Sequence, residues 1–118
     1  MRDFSILKTN FRNSLVRTLV TINSTEKILD YQRQVPFVVL SYELFAQWNT
    51  TNYPKNNSWF KEEFSENERM LFEKFNALFE AFMHTTDKET LRDVDLLVNN
   101  PQWQQIQIEA GKLLENIS

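Results

Sequence analysis

Residues 65–85 have the sequence SENERMLFEKFNALFEAFMHT, in which apolar side chains recur every three or four positions. This spacing places them along one face of an α-helix. Ser65 and Glu68 match a capping box, in which the hydroxyl and the carboxylate each accept a free backbone N–H of the first turn. We therefore predict a helix that starts after Ser65 and buries a broad, mostly aromatic stripe, made of Leu71, Phe72, Phe75, Leu78, Phe79 and Phe82.

Apolar residues at helical spacing also predict helices on both sides of this stretch. Towards the N-terminus we expect a helix over residues 4–22, a short one after a Ser24 cap, and one capped by Ser41. Towards the C-terminus we expect a weaker helix over residues 88–98. A longer one should begin at Pro101 after an asparagine cap, because proline is tolerated in a first turn.

Two segments do not show a helical pattern. Residues 35–40 (VPFVVL) are short and β-branched, which predicts an extended buried segment with no strand to pair with. Residues 52–58 are the clearest loop. Inside the last helix, Gly111 is less favourable than alanine by roughly 1 kcal/mol, which suggests close approach of a neighbouring helix.

The predicted architecture is all-α: a single-domain bundle of five or six helices over residues 1–118, with one short extended segment near 35–40. The longest uncharged apolar run covers about residues 35–40, far short of the ~20 residues of a membrane span. Arg12 and Arg17 interrupt the apolar pattern that a signal peptide would need. We therefore expect a cytoplasmic protein that does not enter the membrane.

The residue types that most catalytic and metal sites require are scarce. The chain has no cysteine, one histidine and one glycine. These counts exclude a disulfide scaffold, a thiolate nucleophile, sulfur-bound zinc and glycine-rich phosphate loops. The histidine, His84, is expected near a helix C-terminus, where the helix dipole favours a solvated imidazole. We predict a protein that is not an enzyme, with no catalytic, cofactor-binding or metal-binding residues.

Charge is unevenly distributed along the chain, whose formal net charge is −3. Residues 1–34 carry six basic and three acidic side chains, whereas residues 60–95 carry ten acidic and five basic ones. An acidic surface disfavours nucleic acid, because phosphate contacts require lysine and arginine. It favours a basic protein partner, although ordinary solvated helix faces would give the same count.

Aromatic side chains gather around the polar loop, just before the acidic run. Tryptophan and tyrosine contribute a large share of the energy when they anchor an interface. For Trp48 we favour a place in the core, whereas Tyr53 and Trp59 are nearer the tip of the loop. The predicted contacts with a basic partner are these two aromatic anchors and carboxylates of the acidic stretch 60–95, namely Tyr53, Trp59, Glu62, Glu63, Glu66, Asp93 and Asp95.

The order of several short pieces resembles that of a known family. These pieces are VVLSYELFAQW at 38–48, Tyr53-Pro54, FSENE at 64–68, Phe75-Asn76 and NPQW at 100–103. Over about residues 36–115 the chain resembles small helical immunity proteins of bacterial contact-dependent growth inhibition systems. It departs from them after the tryptophan, where Asn49 and Thr50 replace the acidic residues expected in relatives.

The resemblance implies that the protein binds a cognate toxin domain, expected to be a basic nuclease, in a 1:1 complex and covers its active site. Two alternatives remain open. One is a helical adaptor or regulator, with a homodimer through Phe72 or Phe79 of the phenylalanine-rich helix as one form of it. The other is a carboxylate-metal enzyme built on pairs such as Glu62-Glu63 or Asp93 with Asp95, although no calcium-loop spacing surrounds them.

Overall fold

The computed structural model of the chain describes residues 5–50 and 64–117, with side chains over residues 12–48 and 64–117. Within these ranges the fold is all-α, as predicted, and no residue belongs to a β-strand. This part of the chain contains seven helices rather than five or six: α1 (Ser5–Asn23), α2 (Thr25–Gln34), α3 (Leu40–Thr50), α4 (Glu66–Thr85), α5 (Lys88–Arg92), α6 (Val94–Val98) and α7 (Pro101–Ile117).

Helix α4 packs against α7 and α3 and contributes much of the aromatic part of the core. The predicted capping box is present: the Glu68 N–H donates to Ser65 Oγ (3.2 Å), and the Ser65 N–H donates to Glu68 Oε1 (2.9 Å). All four phenylalanines of the stripe are buried, namely Phe72, Phe75, Phe79 and Phe82. They are part of this chain's own core and do not form an exposed face through which a second copy could dimerise.

Two buried tryptophans flank the phenylalanines of α4. Trp48 of α3 packs edge-on against Phe75, with ring centroids 4.8 Å apart. Trp103 of α7 packs edge-on against Phe79, with centroids 5.9 Å apart. Such offset aromatic contacts contribute ~0.5–1.5 kcal/mol each beyond the area that they bury. Trp48 is therefore a core residue, as favoured from the sequence.

Helices α1 and α7 pack against each other in antiparallel directions. Near one end the Arg12 guanidinium donates to the Ile117 carbonyl, and near the other Asn23 Nδ2 donates to the Gln107 carbonyl (2.8 Å). A Cβ on Gly111 would lie 2.8 Å from Asn23 Nδ2. The close approach of a neighbouring helix at this glycine is thereby confirmed.

The extended buried segment predicted for residues 35–40 is wrong. The chain turns there instead, with the Val38 N–H donating to the Val35 carbonyl (3.2 Å). The Gln32 side chain also donates to the Val35 and Val38 carbonyls (3.1 Å each), so it satisfies groups that a strand would have left unpaired. Phe37, at the tip of the turn, is 85% exposed.

Two helix boundaries also differ from those predicted. The helix expected over residues 88–98 is divided into α5 and α6, because Asp93 Oδ1 accepts the backbone N–H groups of Asp95 (2.9 Å) and Leu96 (3.3 Å) and caps a new helix. Ser41 is not a cap, since α3 already begins at Leu40. Its buried hydroxyl donates instead to the Leu91 carbonyl of α5 (2.7 Å).

Candidate protein-binding surface

The seven predicted contact residues are only partly within the described ranges. Tyr53, Trp59, Glu62 and Glu63 lie outside them. Glu66, Asp93 and Asp95 lie within them, and all three are exposed.

The described contact residues do not form one patch. Glu66 is the first residue of α4, a 20-residue helix that is therefore ~30 Å long. Asp93 and Asp95 follow the other end of that helix, after α5. Helix α3 runs antiparallel to α4, because its start contacts Leu91 whereas Trp48, near its end, contacts Phe75. Glu66 and the two aspartates thus lie at opposite ends of the molecule.

The aspartates instead lie beside the turn between α2 and α3. One surface depression is lined by Pro36, Glu89 and Asp93, and an adjoining one is lined by Pro36 and Asp95. Phe37 extends from the same turn into solvent. We refer to Pro36, Phe37, Glu89, Asp93 and Asp95 as the Phe37 face.

The electrostatics of the Phe37 face are predominantly negative. Asp93 accepts two backbone N–H groups as a helix cap, which orients its carboxylate. Glu89 and Asp95 form no ion pair within the described part of the chain. Arg92 lines the first depression and Arg33 lines the second, where Arg33 pairs with Asp30 (3.6 Å). Besides these two arginines, the face offers three carboxylates and one aromatic side chain to a partner.

Phe37 was missed by the sequence analysis. Its apolar neighbours at positions 38–40 suggested burial, whereas Pro36 directly before it is typical of a turn. An aromatic residue that follows proline between two helices is the signal that could have identified it.

Among residues 5–50 and 64–117, no three His, Cys, Asp or Glu side chains come close enough together to hold a metal ion. His84 lies in the last turn of α4 and is exposed, as predicted. None of the described helices combines the length and the apolar character required to cross a bilayer.

No protein family model, curated protein or solved structure matches this chain.

Proposed function

We propose that the protein is an immunity protein that binds a cognate bacterial toxin domain, a basic nuclease, and neutralises it by covering the active site. The observation that carries the proposal is the position of Phe37, which is 85% exposed and directly follows Pro36, the residue shared by the depressions that Glu89, Asp93 and Asp95 line. An exposed aromatic side chain on a face that carries carboxylates suits a binding surface for a cationic protein.

The physical basis lies in the chemistry of nucleases. A nuclease active site is basic because it binds phosphate, so carboxylates on a rigid support can occupy it in place of the nucleic acid. Opposite charges accelerate the encounter of the two proteins. The aromatic side chain of Phe37 would be buried in the complex, which slows dissociation. A standard interface buries ~1,200–2,000 Å² in total, which one end of a 118-residue protein can supply.

The first experiment is protection in cells. The toxin encoded by the neighbouring gene is expressed in a sensitive host with or without this protein, and growth is followed. Restored growth, together with a 1:1 complex of the purified proteins, supports the proposal. If no complex forms and no growth is restored, the proposed function is wrong.

A second experiment determines which end of the molecule binds. We expect Phe37→Ala, and separately the double reversal Glu89→Lys with Asp95→Lys, to weaken toxin binding by about tenfold or more, ~1.4 kcal/mol or above. The charge reversal should also reduce the dependence of the association rate on salt. Glu80→Lys is the matched control, because Glu80 is an exposed carboxylate of α4 outside the Phe37 face.

The opposite end of α4 is tested by a separate variant, in which Glu62, Glu63 and Glu66 are all changed to lysine. Loss of binding in this variant, with unchanged binding in the Phe37 face variants, would place the interface at the start of α4. The toxin-binding role would then stand and its assignment to Phe37 would be wrong.

A further inference from the structure

A polar cavity of about 220 Å³ lies between α1, α2 and α3. Leu44 of α3 forms an apolar part of its lining. The remaining lining side chains can all form hydrogen bonds; they are Ser14, Arg17, Thr18, Thr21, Tyr31 and Gln47.

The spacing of residues on α1 produces this lining. Ser14, Thr18 and Thr21 are separated by four and three residues, so they lie on one face of the helix, and Arg17 extends from the turn between them. The neighbouring stripe of α1, which contains Leu15 and other apolar residues, is buried in the core. Helix α1 therefore has two faces in contact with the rest of the protein, one apolar and one rich in hydroxyl groups.

Three of the donors at this cavity have no protein partner within the described ranges. They are the Ser14 hydroxyl, the Arg17 guanidinium and the Tyr31 hydroxyl. The hydroxyl of Thr21, in contrast, donates to the Arg17 carbonyl (3.1 Å), and the Gln47 amide donates to Glu43 Oε1 (3.4 Å). None of the lining residues is acidic; the carboxylate of Glu43 contacts the Gln47 amide but does not itself line the cavity.

We propose that this cavity binds a small phosphate-containing anion. An arginine guanidinium can donate two parallel hydrogen bonds to phosphate oxygens, and the hydroxyls of Ser14 on the same helix and Tyr31 on α2 can donate to the remaining ones. Donors that approach from α1 and α2 suit a tetrahedral anion better than a flat carboxylate. Drug-sized ligands occupy ~300–1,000 Å³, so this smaller cavity suits inorganic phosphate or a compact phosphate monoester.

The local charge favours the same class of ligand. Although the whole chain has a formal net charge of −3, residues 1–34 carry six basic and three acidic side chains. The cavity lies against helices from this basic part of the chain and is lined by residues distinct from those of the Phe37 face. Anion binding here does not depend on the proposed toxin-neutralising function, so one of the two proposals can be wrong while the other is correct.

Titration of the ¹⁵N-labelled protein with inorganic phosphate, followed by NMR against a sodium chloride control of equal ionic strength, tests the proposal. We expect saturable shifts of the Ser14, Arg17 and Tyr31 amides. Arg17→Gln should weaken binding by about tenfold or more, and Tyr31→Phe by a smaller factor. Arg92→Gln is the matched control, since Arg92 is an exposed arginine on another surface, and it should bind phosphate as the wild type does.

Several outcomes would overturn the proposal. These are shifts that do not saturate, shifts that chloride reproduces, or an equal loss of affinity in the Arg17 and Arg92 variants. Sodium acetate at matched ionic strength should bind more weakly than phosphate; equal affinity would contradict a phosphate site. Arg17 is exposed, so its variant should keep the wild-type thermal midpoint, which separates loss of binding from loss of folding.

Discussion

The indole N–H of Trp48 donates a 2.8 Å hydrogen bond to Oδ1 of Asn76, and both side chains are buried. Trp103 occupies a comparable place against the other half of α4, but its indole N–H has no hydrogen-bond partner among the described residues. The two buried tryptophans therefore differ in one polar contact, which allows the contribution of that contact to be measured.

We predict that Trp48→Phe lowers the free energy of unfolding by ~1–3 kcal/mol more than Trp103→Phe. Both variants lose similar ring volume, but only the first leaves the Oδ1 of Asn76 buried without a donor. Chemical denaturation of the two variants gives the difference. Changing Asn76 to Leu in the Trp48→Phe background should recover part of the loss, because it removes the unsatisfied acceptor. Equal losses in the two single variants would show that packing alone determines the effect.

Ser41 provides a second test of a buried polar contact. Its hydroxyl donates to the Leu91 carbonyl at 2.7 Å and joins the start of α3 to α5. Ser41→Ala should lower the free energy of unfolding by ~1–3 kcal/mol, since a buried carbonyl loses its donor. Alanine is smaller than serine, so this variant adds no bulk at the fully buried position. A loss well below about 1 kcal/mol would indicate that this hydrogen bond contributes little.

Local signals in the sequence were sufficient to predict most of the helices. Ser24, Ser65 and Asn100 each precede a helix and accept a backbone N–H of its first turn, so these boundaries could be predicted from neighbouring residues alone. The same chemistry at Asp93 was overlooked, because the apolar spacing over 88–98 appeared continuous. An aspartate at that position provides a local signal for a new helix.

Features that depend on distant residues could not be predicted in this way. Ser41 looked like a cap, but its partner Leu91 is 50 positions away in the chain. The acidic candidates Glu66 and Asp93 belong to the same acidic stretch of the sequence, yet the length of α4 separates them. Phe37 looked like part of a buried segment because its exposure depends on how the turn is held by Gln32.

The pH dependence of stability should reveal the cap of α5. The Thr90 backbone N–H donates to Asp87 (3.1 Å) and the Thr90 hydroxyl donates to the same carboxylate (2.9 Å). These bonds lower the pKa of Asp87 below its ordinary value of 3.8, and the bond from the backbone N–H has the larger effect. The resulting stabilisation is fully present above the pKa of the unfolded chain and is lost as the pH falls through the lower pKa of the folded protein.

Asp87→Asn isolates this effect, because asparagine also caps helices but does not titrate in this range. We expect the stability of the wild type relative to this variant to be constant at neutral pH and to fall as the pH drops towards and below 3.8, the ordinary pKa of the carboxyl. Urea denaturation of both proteins over this range provides the measurement. A difference that does not change with pH would mean that the pKa of Asp87 is the same in the folded and unfolded states.

The contact between Gly111 and Asn23 permits a double-mutant test of helix packing. Alanine is favoured over glycine within a helix by ~0.8–1.0 kcal/mol, but a Cβ on residue 111 would lie 2.8 Å from Asn23 Nδ2. Asn23 would have to move and break its hydrogen bond to the Gln107 carbonyl, which contributes ~0.5–1.5 kcal/mol. In the wild-type background, Gly111→Ala should therefore leave the free energy of unfolding nearly unchanged.

In an Asn23→Ala background the same substitution should be stabilising by ~0.8–1.0 kcal/mol, because the obstructing amide is absent and only the helix preference remains. The coupling energy of the cycle, measured by chemical denaturation of the four proteins, should be ~1 kcal/mol. Equal effects of Gly111→Ala in both backgrounds would mean that the Asn23 side chain moves aside without lowering the free energy of unfolding. The glycine would then have no packing role at the crossing of α1 and α7.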